Sequence, residues 1–314
     1  MNIIKKNIED YKIIKTLTEH NNQVLHLSIL LNGDIASSSF DSFFIIYNNI
    51  SFEIKLKIHE ISPIIYHQQI SNGNIFLCLN LCQISLYKIY NNNLNYQIIQ
   101  RINEFNNKVF KISELFPNII ITSSYDGIIK IYDQKIEKFQ NTTSLQFNNK
   151  YQNFNFTINN KSTIIIFISN KLIFLNPNTF ISIKTIINSD FETVSNSIEI
   201  INDEILLIGT KNGLLVVNYN LGYIIQKYLP NIEFKSIINF KANIFLSCKI
   251  KIIARCKFYQ CFVDLIEFFY DEKNESIEII SEINSQNKDI INSIVKFNDK
   301  IITASSDSLI NIWS

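Results

Sequence analysis

Short runs of apolar, β-branched and aromatic residues recur along the chain, with polar turns between them: FFIIY at 43–47, IIKIY at 128–132 and LINIW at 309–313. Few segments place apolar residues at helical spacing over ten or more positions. The pattern therefore predicts strands throughout. In the first part of the chain it predicts four of them, over Val24–Ile29, Asp34–Ser39, Phe43–Tyr47 and Phe52–Ile58. Further along, strands are expected to begin at Val109, Asn118 and Ile128. The most apolar stretch, STIIIFISNKLIFL at 162–175, is split by Asn170 and Lys171 and reads as two strands. No stretch reaches 18 clean apolar residues, so no membrane-spanning helix is expected.

The strand pattern repeats. TASSDSLINIWS (303–314) aligns with TSSYDGIIKIYD (122–133), SSSFDSFFIIYN (37–48), GTKNGLLVVNYN (209–220) and CFVDLIEFFYD (261–271). Asp41, Asp126, Asn212, Asp264 and Asp307 fall at the expected turns, with weaker copies around Asn170 and at 78–91. With Tyr47, Tyr90, Tyr132, Asn176, Asn218, Tyr270 and Trp313 as the closing positions, the steps are 43, 42, 44, 42, 52 and 43 residues. A period of this size points to a solenoid, propeller or array. Four antiparallel strands per unit and seven units predict an all-β, seven-bladed β-propeller filling residues 1–314 as a single domain.

The stretches ITSSYDGIIKIYD (121–133) and ITASSDSLINIWS (302–314) resemble the signature of the WD40-repeat proteins, and the resemblance spans nearly the whole chain. Tyr stands for Trp in most units, units four and five close on Asn, and the Gly of the family's Gly-His pair is absent. The resemblance implies a hydrogen-bond network in each blade, with His20, a Ser among Ser37–Ser39, and Asp41 forming the first and Tyr47 in the indole's place. It makes His20, Asp41, His59, Asp126, Asp264, Asp307 and Trp313 candidates for structural turn and network positions. A carboxylate between two strands accepts backbone N–H bonds across its own turn, which gives these Asp residues a physical role independent of the family.

The last unit holds three strands, ending at Trp313, and lacks its outer strand. Residues 11–17 alternate and precede the first inner strand. They are expected to supply the missing strand by pairing with the one that ends at Trp313, which removes an open edge.

Composition narrows the functions. Lys and Arg number 29 against 28 Asp and Glu, a net charge of +1, which gives no electrostatic case for nucleic acid. The first residues show no secretory pattern, so a cytoplasmic or nuclear location is expected. Five scattered Cys and four His form no metal-ligand spacing. No catalytic constellation, phosphate-binding Gly pattern or cofactor motif is present, so no enzyme and no cofactor are expected. The unit with the 52-residue step carries extra residues within 230–262. Two placements fit: an inner strand at Ser236–Phe240 with an extra hairpin within Lys249–Phe262, or an inner strand nearer Ile250–Ala254. Lys249, Lys251, Arg255 and Lys257 form a small basic cluster there, a candidate partner contact.

The leading functional expectation is a non-catalytic protein-interaction scaffold. It would be a monomeric propeller inside a larger complex, binding proteins or peptides on rim loops and the channel face. The alternative is a substrate- or peptide-recognition propeller acting through a ubiquitin-ligase adaptor. Phosphopeptide reading favours Arg clusters, and the chain has only Arg101 and Arg255. The paired-Arg motif of phosphoinositide-binding propellers is absent.

Overall fold

The computed structural model describes residues 11–90, 95–135, 138–147, 154–159, 163–168, 170–188, 194–210, 213–228, 233–241, 244–255, 258–271, 276–284 and 289–314. Side chains are described except at 154, 194–197 and from 228 to 284. All the regular structure among them is β. The strands assemble into four-stranded antiparallel sheets.

The chain divides into two compact units, Glu19–Thr185 and the remainder. This division replaces the expected single seven-bladed ring as the description of the architecture. The first unit holds four sheets, each built from consecutive strands. They are Val24–Ile29, Ile35–Ser39, Phe43–Tyr47 and Ile54–His59; Ile64–Gln69, Ile75–Leu79, Gln83–Tyr90 and Asn95–Ile102; Val109–Phe116, Ile119–Ser124, Ile128–Lys135 and Lys138–Gln146; and Phe154–Ile158, Ile164–Ile168, Lys171–Leu175 and Ser182–Ile187. The stretch at 162–175 thus forms the two middle strands of the fourth sheet.

The second unit holds three sheets. Two are again consecutive: Val194–Ile200, Ile205–Thr210, Gly213–Asn218 and Tyr223–Tyr228; then Glu233–Lys241, Ile244–Arg255, Phe258–Asp271 and Ser276–Asn284. The third joins Ile291–Phe297, Lys300–Ser305 and Ile310–Trp313 to Ile13–Leu17, which lies outermost. Ile13 pairs with Trp313 and Leu17 with Ile310. Lys12 and Ser314 exchange both backbone bonds, at 3.2 and 3.1 Å, and the Thr16 hydroxyl donates to Asn311 Oδ1 at 2.8 Å. Tyr11 and Leu17 are buried.

The repeat shows in local geometry as well as topology. The first strands of four sheets carry a bulge at matching places, at Val24/His26, Ile64/Tyr66, Val109/Lys111 and Ile291/Ser293. The tight turn between second and third strands puts Ser42, Cys82, Gly127 and Ser308 at matching positions with φ of 70°, 61°, 76° and 72°. Only Gly127 adopts that left-handed backbone without a Cβ penalty. In the first and last of these turns an Asp compensates: Asp41 Oδ1 accepts from Phe43 N and Asp307 Oδ1 from Leu309 N, both at 3.0 Å.

Between neighbouring sheets of the first unit lies apolar packing. Ile46, Leu56 and Ile58 of the first sheet meet Ile64, Ile75 and Leu77 of the second. Each is largely or wholly removed from water, worth about 25 cal/mol per Å² of apolar surface. Two clasps add to the packing. The Leu31 amide, in the turn after the first strand, donates to Gln69 of the next sheet at 2.7 Å. Ser71, in the matching turn of the second sheet, gives both its amide and its hydroxyl to Glu114 of the third at 2.7 Å.

Some hairpins run past their sheets. In the second sheet Lys88–Tyr90 pair with Asn95–Gln97 beyond the last residue paired to the second strand. In the sheet of Glu233–Asn284, Lys251–Arg255 pair only with Phe258–Phe262, so the middle strands continue as a two-stranded ribbon. The inner strand there is Glu233–Lys241, and Ile250–Ala254 belongs to the second strand of the sheet.

Candidate functional site

The four links between strands place two kinds of turn at each end of a sheet. The turn between second and third strands and the link to the next sheet share one end. In the first sheet they are tied together: Glu60 N donates to Ser42 O at 2.9 Å and Phe40 N to Gln23 O at 2.9 Å. At this end lie most of the side chains singled out from the sequence.

His20 is 4% exposed and bridges two elements. Its Nδ1 lies 2.9 Å from Asp41 Oδ2 and its Nε2 2.7 Å from Ser37 Oγ. Asp41 Oδ2 also accepts from Asn21 N at 2.9 Å. Burial pushes the Asp41 carboxyl up, but His20 and the amides of Asn21 and Phe43 outweigh it and hold the group at about 2. Tyr47 is wholly buried next to this network. Its hydroxyl sits by Ser37 without a hydrogen bond of good geometry among the described residues. Burial, and then the Glu19 charge, drive its ionisation far above the usual phenol range.

The second sheet exchanges the parts. His59 is exposed and packs its ring on Phe43, with centroids 4.7 Å apart. The next residue, Glu60, takes the place that His20 has in the first sheet, and Leu81 stands where Asp41 does. The carboxylate has moved from the turn to the link. Glu60 accepts from Tyr87 Oη at 2.6 Å and from Arg101 at 3.1 Å, with its side chain fully buried. Arg101 further donates to Gln83 at 3.0 Å and Ser85 at 3.3 Å. Burial raises the Glu60 carboxyl, and the bonds from Tyr87, Ser85 and Arg101 bring it net below the usual range. The buried aromatic that closes this sheet is Tyr87, paired with Ile75 as Tyr47 is with Ile35. Tyr90, expected to close it, lies on the projecting ribbon and is 37% exposed.

Elsewhere the expected positions separate. Asp126 accepts from the Ser124 hydroxyl in its own turn, and its other oxygen is buried without a partner among the described residues. Asp307 serves its turn as described above. Trp313 is buried and donates Nε1–H to Thr303 Oγ1 at 3.1 Å. Asn176 and Asn218 cap the following turn instead of closing a sheet: Asn176 Oδ1 accepts from Asn178 N and Thr179 N, and Asn218 Oδ1 from Leu221 N. The closing residues are Leu175 and Val217, one position earlier. Asp264 is not at a turn, because the long strand carries it through to pair with Lys249. Asn212 and Lys257 lie outside the described residues.

A second polar group escaped the sequence reading. His26 and His67, on the inner strands of the first two sheets, bring their Nδ1 atoms to 3.4 Å. His67 Nε2 is 2.8 Å from Ser28 Oγ, and the His26 ring lies on Tyr66 with centroids 4.1 Å apart. Lys111, the bulge residue of the third sheet, donates to the Phe156 carbonyl at 2.6 Å and lies over its ring. The signal was the matched place of His26, Tyr66 and Lys111 at the inner-strand bulge, with His67 next to Tyr66, which strand-end motifs do not report. Burial and then Lys111 lower His26 to about 3, and burial and then His26 lower His67 well below its usual value. Between pH 6.5 and about 3 the unfolded chain therefore binds more protons than the folded one, and stability falls as pH drops through that window. Asp41, with its folded value depressed, adds a further loss from about 4 to 2. The unfolding free energy from urea titrations is expected to fall as pH drops below 6.5, by up to about 1.4 kcal/mol per pH unit for each imidazole. Replacing both imidazoles, His26→Gln with His67→Gln, is expected to flatten the upper part of that slope.

Among the described residues, no group of three or more His, Cys, Asp or Glu is placed to hold a metal ion. Nor is any helix there long and apolar enough to cross a membrane. The site is a set of hydrogen-bonded turns with apolar tips: Phe40, Ile61 and Leu81, all at one end of the first two sheets, are 44%, 67% and 60% exposed.

Among solved structures, the chain is similar to the WD40 β-propeller domain of Doa1, with a TM-score of 0.73 and 97% of each chain covered. The fold is that of a β-propeller. At 15% identity the likeness shows the fold alone. No family model matches the chain, and no curated protein does. The expected membership of the seven-bladed WD40-repeat family is thus corrected to a distant structural likeness. Among the described residues one turn network joins His20, Ser37 and Asp41, and another joins Glu60, Tyr87 and Arg101.

Proposed function

We propose that this propeller is a non-catalytic protein-interaction scaffold, a subunit of a larger complex. The observation that carries the reading is the apolar arc of Phe40, Ile61 and Leu81, held out on turns tied by backbone hydrogen bonds. Fixed apolar tips lower the ordering cost of binding and suit a partner surface. The titratable groups beneath them are tied into structural networks, which supports a role without chemistry.

The ribbon of Lys251–Arg255 and Phe258–Phe262 supplies a second contact in this reading. In the register Lys249, Lys251 and Arg255 of one strand pair with Asp264, Phe262 and Phe258 of the next. The basic residues of this ribbon suit an acidic segment of a partner.

The test is affinity capture of the tagged full-length protein from its own cells, read by mass spectrometry. A stable, stoichiometric partner set is expected. Phe40→Ser with Leu81→Ser is expected to remove at least one member while the melting temperature stays within a few degrees, since both sites are exposed. Lys251→Glu with Arg255→Glu is expected to release a different member. Partner sets identical to wild type in both variants would overturn the reading.

A further inference from the structure

A cavity of about 300 Å³ opens beside the projecting ribbon of the second sheet, wholly within the first unit. Lys88, Tyr90 and Gln97 face it from the ribbon, Asn72 and Asn74 from the turn after the first strand, and Gln134 from the third sheet. None of its lining residues is acidic. Two of the amides have their oxygens occupied: Gln97 Oε1 accepts from Tyr90 Oη at 3.1 Å, and Gln134 Oε1 from Asn72 Nδ2 at 3.3 Å. Their NH₂ groups are left as donors. Asn74 is 8% exposed, its backbone N–H is taken by Asn72 Oδ1, and its side-chain amide lines the cavity without a partner among the described residues. Lys88 adds a positive charge, 5.3 Å above the Tyr90 ring, and has no carboxylate partner among the described residues. Ile99 gives an apolar wall.

Donors and one cation converge on a space with no acid. We propose that this cavity binds a compact organic anion, its carboxylate or phosphate held by Lys88, Asn74 and the two glutamine NH₂ groups, its apolar body set against Ile99 and Tyr90. The site is separate from the turns that carry the scaffold reading and stands or falls without them.

Calorimetric titration of the full-length protein with phenyl phosphate, benzoate, benzyl alcohol and inorganic phosphate tests it. One or both ring-bearing anions are expected to bind, at least about tenfold tighter than the neutral alcohol. The better of the two tells phosphate from carboxylate, and inorganic phosphate shows what the apolar body adds. Lys88→Ala and Gln97→Ala are each expected to weaken binding about fivefold or more, with unchanged melting temperature because both residues are exposed. No binding of either anion at about 10 mM, equal binding of the alcohol, or anion binding that neither variant moves would each overturn the proposal.

Discussion

A chain beginning at residue 20 is expected to be recovered as aggregate or soluble oligomer instead of monomer. Removing Ile13–Leu17 exposes the whole outer side of Ile310–Trp313, including the register pairs Ile13 to Trp313 and Leu17 to Ile310. It also uncovers the surface that Tyr11 and Leu17 shield, both under one tenth exposed. An open strand of INIW, apolar at three of four positions, is a template for pairing with a second copy. Each lost backbone bond contributes about 1 kcal/mol and the two side chains about 2 kcal/mol each, a large part of a propeller's net stability. Size-exclusion chromatography with light scattering reads the outcome. Supplying residues 1–19 as a separate peptide is expected to restore some monomer. A truncated chain that elutes and melts like the full one would show that the pairing is dispensable.

Glu60→Ala is expected to be the most damaging single substitution at the turn networks, at about 3–5 kcal/mol. It strips the acceptor from Tyr87 Oη and from Arg101 together. What remains is a phenol that is wholly buried and a guanidinium two-thirds removed from water, with Gln83 and Ser85 as its other partners. Glu60→Gln keeps the shape and one acceptor but not the charge, and about half the cost is expected. Pairing Glu60→Ala with Arg101→Leu in a double-mutant cycle isolates the ion pair. Coupling above about 1 kcal/mol is expected because the carboxylate has no solvent access. Chemical denaturation measures all four proteins. A Glu60→Ala change below about 1 kcal/mol would mean that water replaces the lost acceptor.

The strand period was legible in the sequence because it is written locally. Turn residues such as Asp41 and Asp307 bond their own backbone, and alternation marks the strands between. Errors came where the chain departs from one turn per period. The second outer hairpin extends three residues past its sheet on each arm, which moved the apparent closing aromatic from Tyr87 to Tyr90. The long ribbon at 251–262 carried Asp264 from an expected turn into a strand interior. Asn176 and Asn218 drew attention because Asn caps turns, one residue beyond Leu175 and Val217, where a closing aliphatic gives no composition signal. His59 and Glu60 are adjacent, and only the face each presents separates the exposed ring from the buried carboxylate. That face is fixed by the bulge between Ile46 and Tyr47, which shifts the outer strand and which no residue type announces. The His26–His67 contact is likewise a product of neighbouring sheets, out of reach of any single repeat.

The clasps between inner turns give the first unit a direction. Leu31 leans on Gln69 of the following sheet, and Ser71 on Glu114 of the one after. Both of these turns are held by the sheet that comes next in the chain. In an array of identical neighbours, opening can begin anywhere. Here, loosening the third sheet releases the turn of the second, and loosening the second releases the turn of the first. The Leu31 and Ser71 amides sit on exposed loops, yet their exchange with solvent deuterium reports the opening of a different sheet from their own.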